Sequence, residues 1–177
     1  MAFSRRAFFK GVVGSAGAAT LPVVTGCASS YSPFLHGIAS GDPLSDRVIL
    51  WTRITPLNDK GDVKQGTDRP DIIGYQWLVA TDPALNDIVL TGNGETNLDK
   101  DYTVKIDALG LLPGTSYYYR FEALNWASDT GRTKTLPVGD VSHIRLAMTS
   151  CTNYTYGYFN VYAAIANRQD LDAVLHL

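Results

Sequence analysis

A lone cysteine at the end of an apolar segment is the side chain in this sequence best suited to chemistry. Residues 144–148 are mostly apolar, and Ser150 and Cys151 follow them at the start of a polar loop. In open α/β sheets ligands gather where strands end, and a thiolate is a soft ligand for a metal cation. The position suits a metal ligand, but from the residues alone an inert buried cysteine is the favoured interpretation, and a cysteine nucleophile is a further alternative.

The residues after His143 indicate a β-α-β unit. We predict a strand at 144–148, a helix over about 157–167 and a second strand at 173–177, because parallel strands need such a crossover. The residues that repeat at helical spacing and should face the sheet are Phe159, Tyr162, Ala163 and Ala166.

Three tyrosines border the loop after Cys151. Tyr154, Tyr156 and Tyr158 could line a pocket entrance, or they could pack beneath the loop. No pair of histidines has the spacing that places two imidazoles on one helix face, so the sequence does not predict a zinc site built from histidines.

Short alternating segments upstream of residue 138 indicate an all-β sandwich. Each of three segments places alternate residues on one face: Val48, Leu50, Thr52 and Ile54; Tyr75, Trp77 and Val79; Tyr102, Val104 and Ile106. We expect Trp51 to be a large core residue of the first strand. The predicted turns between strands are 58–61, 81–83 and Gly92-Asn93-Gly94.

Residues 111–117, Leu-Leu-Pro-Gly-Thr-Ser-Tyr, are similar to the fibronectin type III pattern, in which a tyrosine at the start of a strand hydrogen-bonds back to the preceding corner. Tyr117 is the candidate corner residue, and Tyr119, Phe121 and Ala123 continue its face. A tyrosine-rich strand could instead be a platform for a carbohydrate or peptide, with Tyr118 exposed. Tyr118 could also pack against the next domain.

Composition is that of an ordinary globular protein. Of 177 residues, 45% are hydrophobic and 18% are charged, with a net charge of -2. No basic patch predicts nucleic-acid binding. Cys27 and Cys151 are the two cysteines, and because Cys27 lies in a leader segment, a disulfide framework is not expected.

The first residues have the layout of a twin-arginine export signal. Arg5 and Arg6 precede a short, weakly apolar segment, which has too few bulky apolar residues to be a good membrane span. Val24-Thr25-Gly26-Cys27 resembles a bacterial lipobox, which predicts lipidation of Cys27 and a membrane tether. An ordinary signal-peptidase cut nearby is the alternative. Both interpretations predict export to the periplasm or cell envelope by the twin-arginine machinery.

Two stretches carry a family resemblance. Phe-Leu-His-Gly-Ile-Ala-Ser-Gly-Asp-Pro at 34–43 and Val-Ile-Leu-Trp-Thr-Arg at 48–53 resemble the opening of the PhoD-like alkaline phosphatase D family. After the twin-arginine signal with lipobox at 1–27, the resemblance implies a fibronectin type III or immunoglobulin-like β-sandwich at 34–138, and the first β-α-β unit of an α/β metallophosphoesterase-like domain at 143–177.

The same resemblance implies a site. Cys151 would bind Fe³⁺, and Ca²⁺ would complete the cluster, with Ser150, Tyr154 and His176 around it. Family members more often carry Gln after the cysteine, where this chain has Thr152. The remaining ligands would follow Leu177, so these residues alone should be inactive.

The function implied is that of an exported metal-dependent phosphohydrolase acting on phosphodiesters and phosphomonoesters. His36, Asp42 and Arg53 lie in the resembling stretches and are weaker candidates for substrate contact than for structural roles. The alternative is a surface lipoprotein whose sandwich binds a partner or glycan. A different hydrolase with the same metals is a third interpretation.

Overall fold

The computed structural model describes residues 31–153 and 155–177. Within these residues ten strands and one α-helix follow one another, with 3-10 turns at Gly66–Asp68 and Leu98–Lys100. The bounds are β1 (Ile38–Gly41), β2 (Arg47–Arg53), β3 (Ile72–Ala80), β4 (Ile88–Asn97), β5 (Thr103–Leu109), β6 (Ser116–Ala123), β7 (Trp126–Ala127), β8 (Gly131–Lys134), β9 (Leu146–Thr149), α1 (Asn160–Ala166) and β10 (Ala173–His176).

The first eight strands form two antiparallel sheets. One sheet has the order β1-β2-β5, and the other has the order β4-β3-β6-β7 with β8 also paired to β6. Buried side chains of both sheets belong to one hydrophobic cluster. The predicted mainly β fold with a two-sheet sandwich is therefore confirmed.

Strand alternation decides which side chains enter the core. Val48, Leu50 and Thr52 on β2 are fully buried, as predicted, and so is Phe121 on β6. The prediction for Trp51 is wrong, because that residue is half-buried and lies on the opposite face of β2. Adjacent residues of a strand point to opposite faces, so Trp51 cannot share the core with Leu50.

Tyr117 is the corner residue that the sequence predicts. Its side chain is buried at the start of β6, and its hydroxyl accepts a hydrogen bond from the backbone N–H of Leu112 at 2.8 Å. Thr135 reinforces the corner, since its hydroxyl donates to the Leu112 carbonyl at 2.6 Å and accepts from the Thr115 N–H at 3.0 Å. These bonds join the start of β6 to the chain just after β8.

Gly92-Asn93-Gly94 is a strand segment, so the predicted turn is wrong there. Both glycines lie inside β4, opposite Trp77 and Tyr75 of β3. A Cβ at Gly92 would stand 2.6 Å from the indole Nε1 of Trp77, and one at Gly94 would stand 2.5 Å from the Tyr75 hydroxyl. Glycine is present because large aromatic rings rest on the backbone, not because the chain turns.

The other two predicted turns are connections, as expected. Asn58 closes its loop by accepting the backbone N–H groups of Lys60 and Asp62, both at 2.9 Å. The Asp82 carboxylate accepts three backbone N–H groups from the residues that follow it, at 2.7–2.9 Å. The hydrogen bond from Asp87 contributes most to a lowered pKa of Asp82.

Residues 143–153 and 155–177, here the C-terminal unit, contain β9, α1 and β10. The two strands pair in parallel with α1 between them in sequence. The helix is shorter than predicted because Gly157 has a φ of 88°, in the left-handed region that no α-helix can include. Of the residues that we expected to face the sheet, Phe159, Ala163 and Ala166 are exposed and Tyr162 is half-buried among the described residues.

Candidate functional site

Both strands of the C-terminal unit end at one edge. His176 at the end of β10 pairs with Thr149 at the end of β9, and the Leu177 N–H donates to the Thr149 carbonyl at 2.9 Å. Because parallel strands run in the same direction, Ser150 and Cys151 leave the sheet where β10 also ends. The topology thus places two predicted site residues, Cys151 and His176, at the same end of the sheet.

Cys151 is exposed and free of any disulfide. Its φ of 57° lies in the left-handed region, which is uncommon for residues other than glycine and is found often at functional sites. Among the described residues no packed core covers Cys151, so the alternative of an inert core cysteine has no support within them. The thiol faces solvent at the strand end, where a cation or substrate can reach it.

Three side chains beside Cys151 form what we call the Thr152 cluster, comprising Thr152, Tyr162 and His176. The Thr152 hydroxyl makes a hydrogen bond with the Tyr162 hydroxyl and lies 3.4 Å from Nε2 of His176. The rings of Tyr162 and His176 stack with centroids 6.2 Å apart and an interplanar angle of 16°. The cluster therefore joins the loop after β9 to both α1 and β10.

Other predicted site residues of the C-terminal unit lie around this loop. Ser150 is exposed, and Tyr154 lies outside the described residues. Tyr156 and Tyr158 are 79% and 90% exposed, so they do not pack beneath the loop. Asn153 stabilises the loop, because its side-chain oxygen accepts from the Thr155 N–H at 3.0 Å and the Thr155 hydroxyl at 2.8 Å.

Arg53 belongs to the sandwich, where it has a structural role. Its guanidinium donates to the Asp101 carboxylate at 2.8 and 3.0 Å and to the Thr55 hydroxyl at 3.1 Å. The hydrogen bond from Arg53 is the main cause of a lowered pKa of Asp101. His36 Nδ1 lies 3.4 Å from the same Thr55 hydroxyl, and Asp42 occupies a turn with a φ of 45°.

The donor set of the described residues fits part of a metal site. An exposed thiol can supply one soft ligand, and the imidazole of His176 lies beside the same loop. Across residues 31–153 and 155–177, no group of three or more His, Cys, Asp or Glu side chains comes together. Cys151 is thus a candidate for one ligand of a larger set.

The predicted export signals lie outside the described residues. Arg5, Arg6 and Cys27 all precede Tyr31, where the description begins. Among the helices of the part that is described, none has both the length and the apolar character needed to cross a bilayer. Export and lipidation therefore stay predictions.

Sequence reasoning missed the contacts of Thr152 and Tyr162. It noted Thr152 only as a departure from a family pattern, and it assigned Tyr162 to a sheet-facing surface. Tyr162 lies ten positions after Thr152. A polar hydroxyl on an otherwise apolar helical face was the available signal, because a tyrosine hydroxyl near a core usually finds a partner.

Comparison with known proteins identifies the family. The family model described as PhoD-like phosphatase, N-terminal domain, matches residues 19–137. Alkaline phosphatase D of Bacillus subtilis (strain 168) is 41% identical over 153 residues, which cover 84% of this chain and 25% of that protein. A solved structure of PhoD is 40% identical with a TM-score of 0.72, covering 84% of this chain and 28% of the other.

The chain therefore spans about a quarter of the length of the relatives it matches. The family model covers the sandwich. The match to the Bacillus subtilis protein extends over 153 residues, which is more than the sandwich alone. The chain belongs to the PhoD-like phosphatase family and carries its N-terminal domain.

Proposed function

We propose that this chain contributes the N-terminal sandwich and the first strands of the catalytic domain to a metal-dependent phosphohydrolase. The substrates would be phosphodiesters and phosphomonoesters. The observation that carries the proposal is an exposed Cys151 at the end of β9, beside His176 at the end of β10. Its setting in a chain 41% identical to an alkaline phosphatase favours phosphate ester chemistry over other uses of a thiol.

In this proposal Cys151 is a ligand. Its sulfur would hold Fe³⁺, and Ca²⁺ ions would be held by residues outside the described set. When bound, such a cluster supplies positive charge that polarises phosphoryl oxygens and favours attack by an oxygen nucleophile. The left-handed backbone at Cys151 is a conformation that is often found at functional sites.

The Thr152 cluster would support that ligand. Thr152 follows Cys151 directly, and its hydroxyl contacts both Tyr162 and His176. A loop tied at one residue to a helix and a strand has fewer conformations than a free loop. We propose that this tie, and the stacking of Tyr162 on His176, hold the thiol in one orientation and leave the imidazole as a neighbour of the site.

Replacing Cys151 is the direct test. In the full-length gene product, Cys151→Ala should lose most of the bound iron and lower phosphodiesterase kcat/KM by about 100-fold or more, because loss of a ligand disrupts the whole site. Iron and calcium contents are measured by elemental analysis and activity with a chromogenic phosphodiester. Cys27→Ala, at the second cysteine of these 177 residues, is the matched control and should change neither quantity.

The outcomes separate the interpretations. Unchanged iron and activity in Cys151→Ala contradict the ligand assignment. Loss of activity with retained iron favours a cysteine nucleophile. If the unsubstituted protein binds no metal and hydrolyses no phosphate ester, the surface lipoprotein with a binding sandwich is the better interpretation.

We also propose export by the twin-arginine machinery with Cys27 as a lipid anchor, placing the protein in the periplasm or cell envelope. The support is the Arg5-Arg6 pair and the lipobox-like residues before Cys27. Arg5→Lys combined with Arg6→Lys should leave the protein inside the cell. Cys27→Ala should leave export intact and release the protein from the membrane fraction.

A further inference from the structure

Strand β8 of the sandwich points two cationic side chains at the C-terminal unit. Thr133 on β8 is buried in the sandwich, so alternation places Arg132 and Lys134 on the outer face. Lys134 Nζ lies 2.6 Å from Asp172 Oδ1, and Arg132 donates to the Gln169 carbonyl at 2.6 Å. Both partners belong to the connection between α1 and β10.

Asp172 makes contacts in two directions. While Oδ1 faces Lys134, Oδ2 accepts the backbone N–H of Arg145 at 2.9 Å, and the Asp172 N–H donates to the Arg145 carbonyl at 2.9 Å. Arg145 immediately precedes β9, and Asp172 immediately precedes β10. One carboxylate thus joins the starts of both parallel strands to the sandwich.

Two cavities adjoin the contact between Lys134 and Asp172. Their volumes are about 580 and 660 Å³, and each is lined by residues of the sandwich and of the C-terminal unit. Arg132, Lys134 and Asp172 line both cavities. No residue of the described C-terminal unit is buried. Among the described residues, the ion pair of Lys134 and the hydrogen bond of Arg132 are contacts that join this unit to the sandwich.

We propose that Asp172, held by Lys134, is a positioning residue that sets the alignment of β9 and β10 and so the placement of Cys151 relative to His176. This rests on the proposed function for its catalytic consequence. The distance along the chain is short, because Asp172 lies four positions before His176 and Arg145 lies six positions before Cys151. The pKa of Asp172 is lowered, chiefly by its hydrogen bond to Lys134, so the contact favours the charged carboxylate.

The test uses the full-length gene product with its metals. Lys134→Met should lower kcat about fivefold and Asp172→Ala about 30-fold, with KM changed less than about twofold, because displaced groups impair the reaction more than binding. The double variant should be no worse than Asp172→Ala, since both act through one contact. Lys134→Arg should restore most of the activity.

Hydrogen exchange measured by mass spectrometry supplies a readout independent of activity. Amides of β9 and β10 should exchange about tenfold faster in Asp172→Ala than in the unsubstituted protein, and amides of β2 and β6 should not change. The matched control is Arg47→Met, which breaks a 3.2 Å ion pair with Asp107 inside the sandwich. It should alter neither kcat nor exchange in β9 and β10.

Unchanged exchange and kcat in Asp172→Ala overturn the proposal, and so does an equal effect of Arg47→Met. An additive double variant overturns it as well. If the unsubstituted protein hydrolyses no phosphate ester, the proposed function fails, while the exchange rates still decide whether Asp172 aligns the two strands.

Discussion

Among the described residues, different kinds of interaction hold the sandwich and the C-terminal unit in place. In the sandwich, side chains of two sheets bury one another completely, including Leu50, Ile54 and Phe121. In the C-terminal unit, Leu146, Met148 and Val174 remain about half exposed or more. Within the described part of the chain, the sandwich has a core of its own, whereas the C-terminal unit is joined to the sandwich by polar contacts.

The largest expected difference between the two regions concerns core truncation. Phe121→Ala should lower the free energy of unfolding by about 3–5 kcal/mol, since it empties a fully buried site. Val161→Ala on α1, where the side chain is 59% exposed, should cost less than about 0.5 kcal/mol. Urea unfolding of the 177-residue chain measures both values. Similar losses in the two variants would show that the regions share one core.

The hydrogen bond of the tyrosine corner allows the stability of the two regions to be compared at a single contact. Tyr117→Phe leaves the N–H of Leu112 without its 2.8 Å acceptor and should cost about 1–2 kcal/mol. Tyr156→Phe, in the exposed loop after Cys151, is the matched control and should cost nothing measurable. Chemical denaturation distinguishes them. An unchanged midpoint for Tyr117→Phe would mean that the corner bond does not contribute to the sandwich.

The smallest effect is expected from acid, and it should fall on the C-terminal unit. The folded-state pKa of Asp172 lies below its unfolded value because Lys134, the Arg145 N–H and His143 favour the carboxylate. Its contribution is therefore complete above the unfolded pKa of about 3.9 and is lost as the pH falls through the lower folded value. The difference in Tm between the unsubstituted protein and Asp172→Asn should be present at pH 6 and disappear as the pH falls through the folded-state pKa.

The control for the acid experiment is Asp59→Asn, in the loop that Asn58 closes. Its Tm should follow that of the unsubstituted protein at every pH. A difference for Asp172→Asn that persists unchanged into strong acid would contradict the assignment of Asp172 to a charged contact.

Local patterns predicted much of the sandwich. The period of two in β2 and β6 identified Leu50 and Phe121 as core residues, and the spacing around Tyr117 identified the corner. The predictions for Trp51, Gly92 and Gly94 were wrong because the surroundings of these residues are set by other strands. Alternation tells which residues share a face, but the second sheet decides which face is buried, and the rings of Trp77 and Tyr75 decide why glycine is needed.

The candidate site was only partly accessible from sequence. The thiol and its position after an apolar strand could be found because both are local. The contacts of Thr152 with Tyr162 and His176 span 10 and 24 residues, and the ion pair of Lys134 with Asp172 spans 38. No periodicity connects such positions, so sequence reasoning had no basis for pairing them.

By itself, the sequence determined the β character of the sandwich, the corner at Tyr117 and the candidate ligand Cys151, because strand period, turn chemistry and a lone thiol are all local properties. Tertiary structure alone decided that Trp51 lies outside the core and that Asp172 joins two strand starts to the sandwich. The physical reason is that these outcomes depend on surfaces brought together by folding. The residues next to a position in the sequence do not specify which distant surface will cover that position.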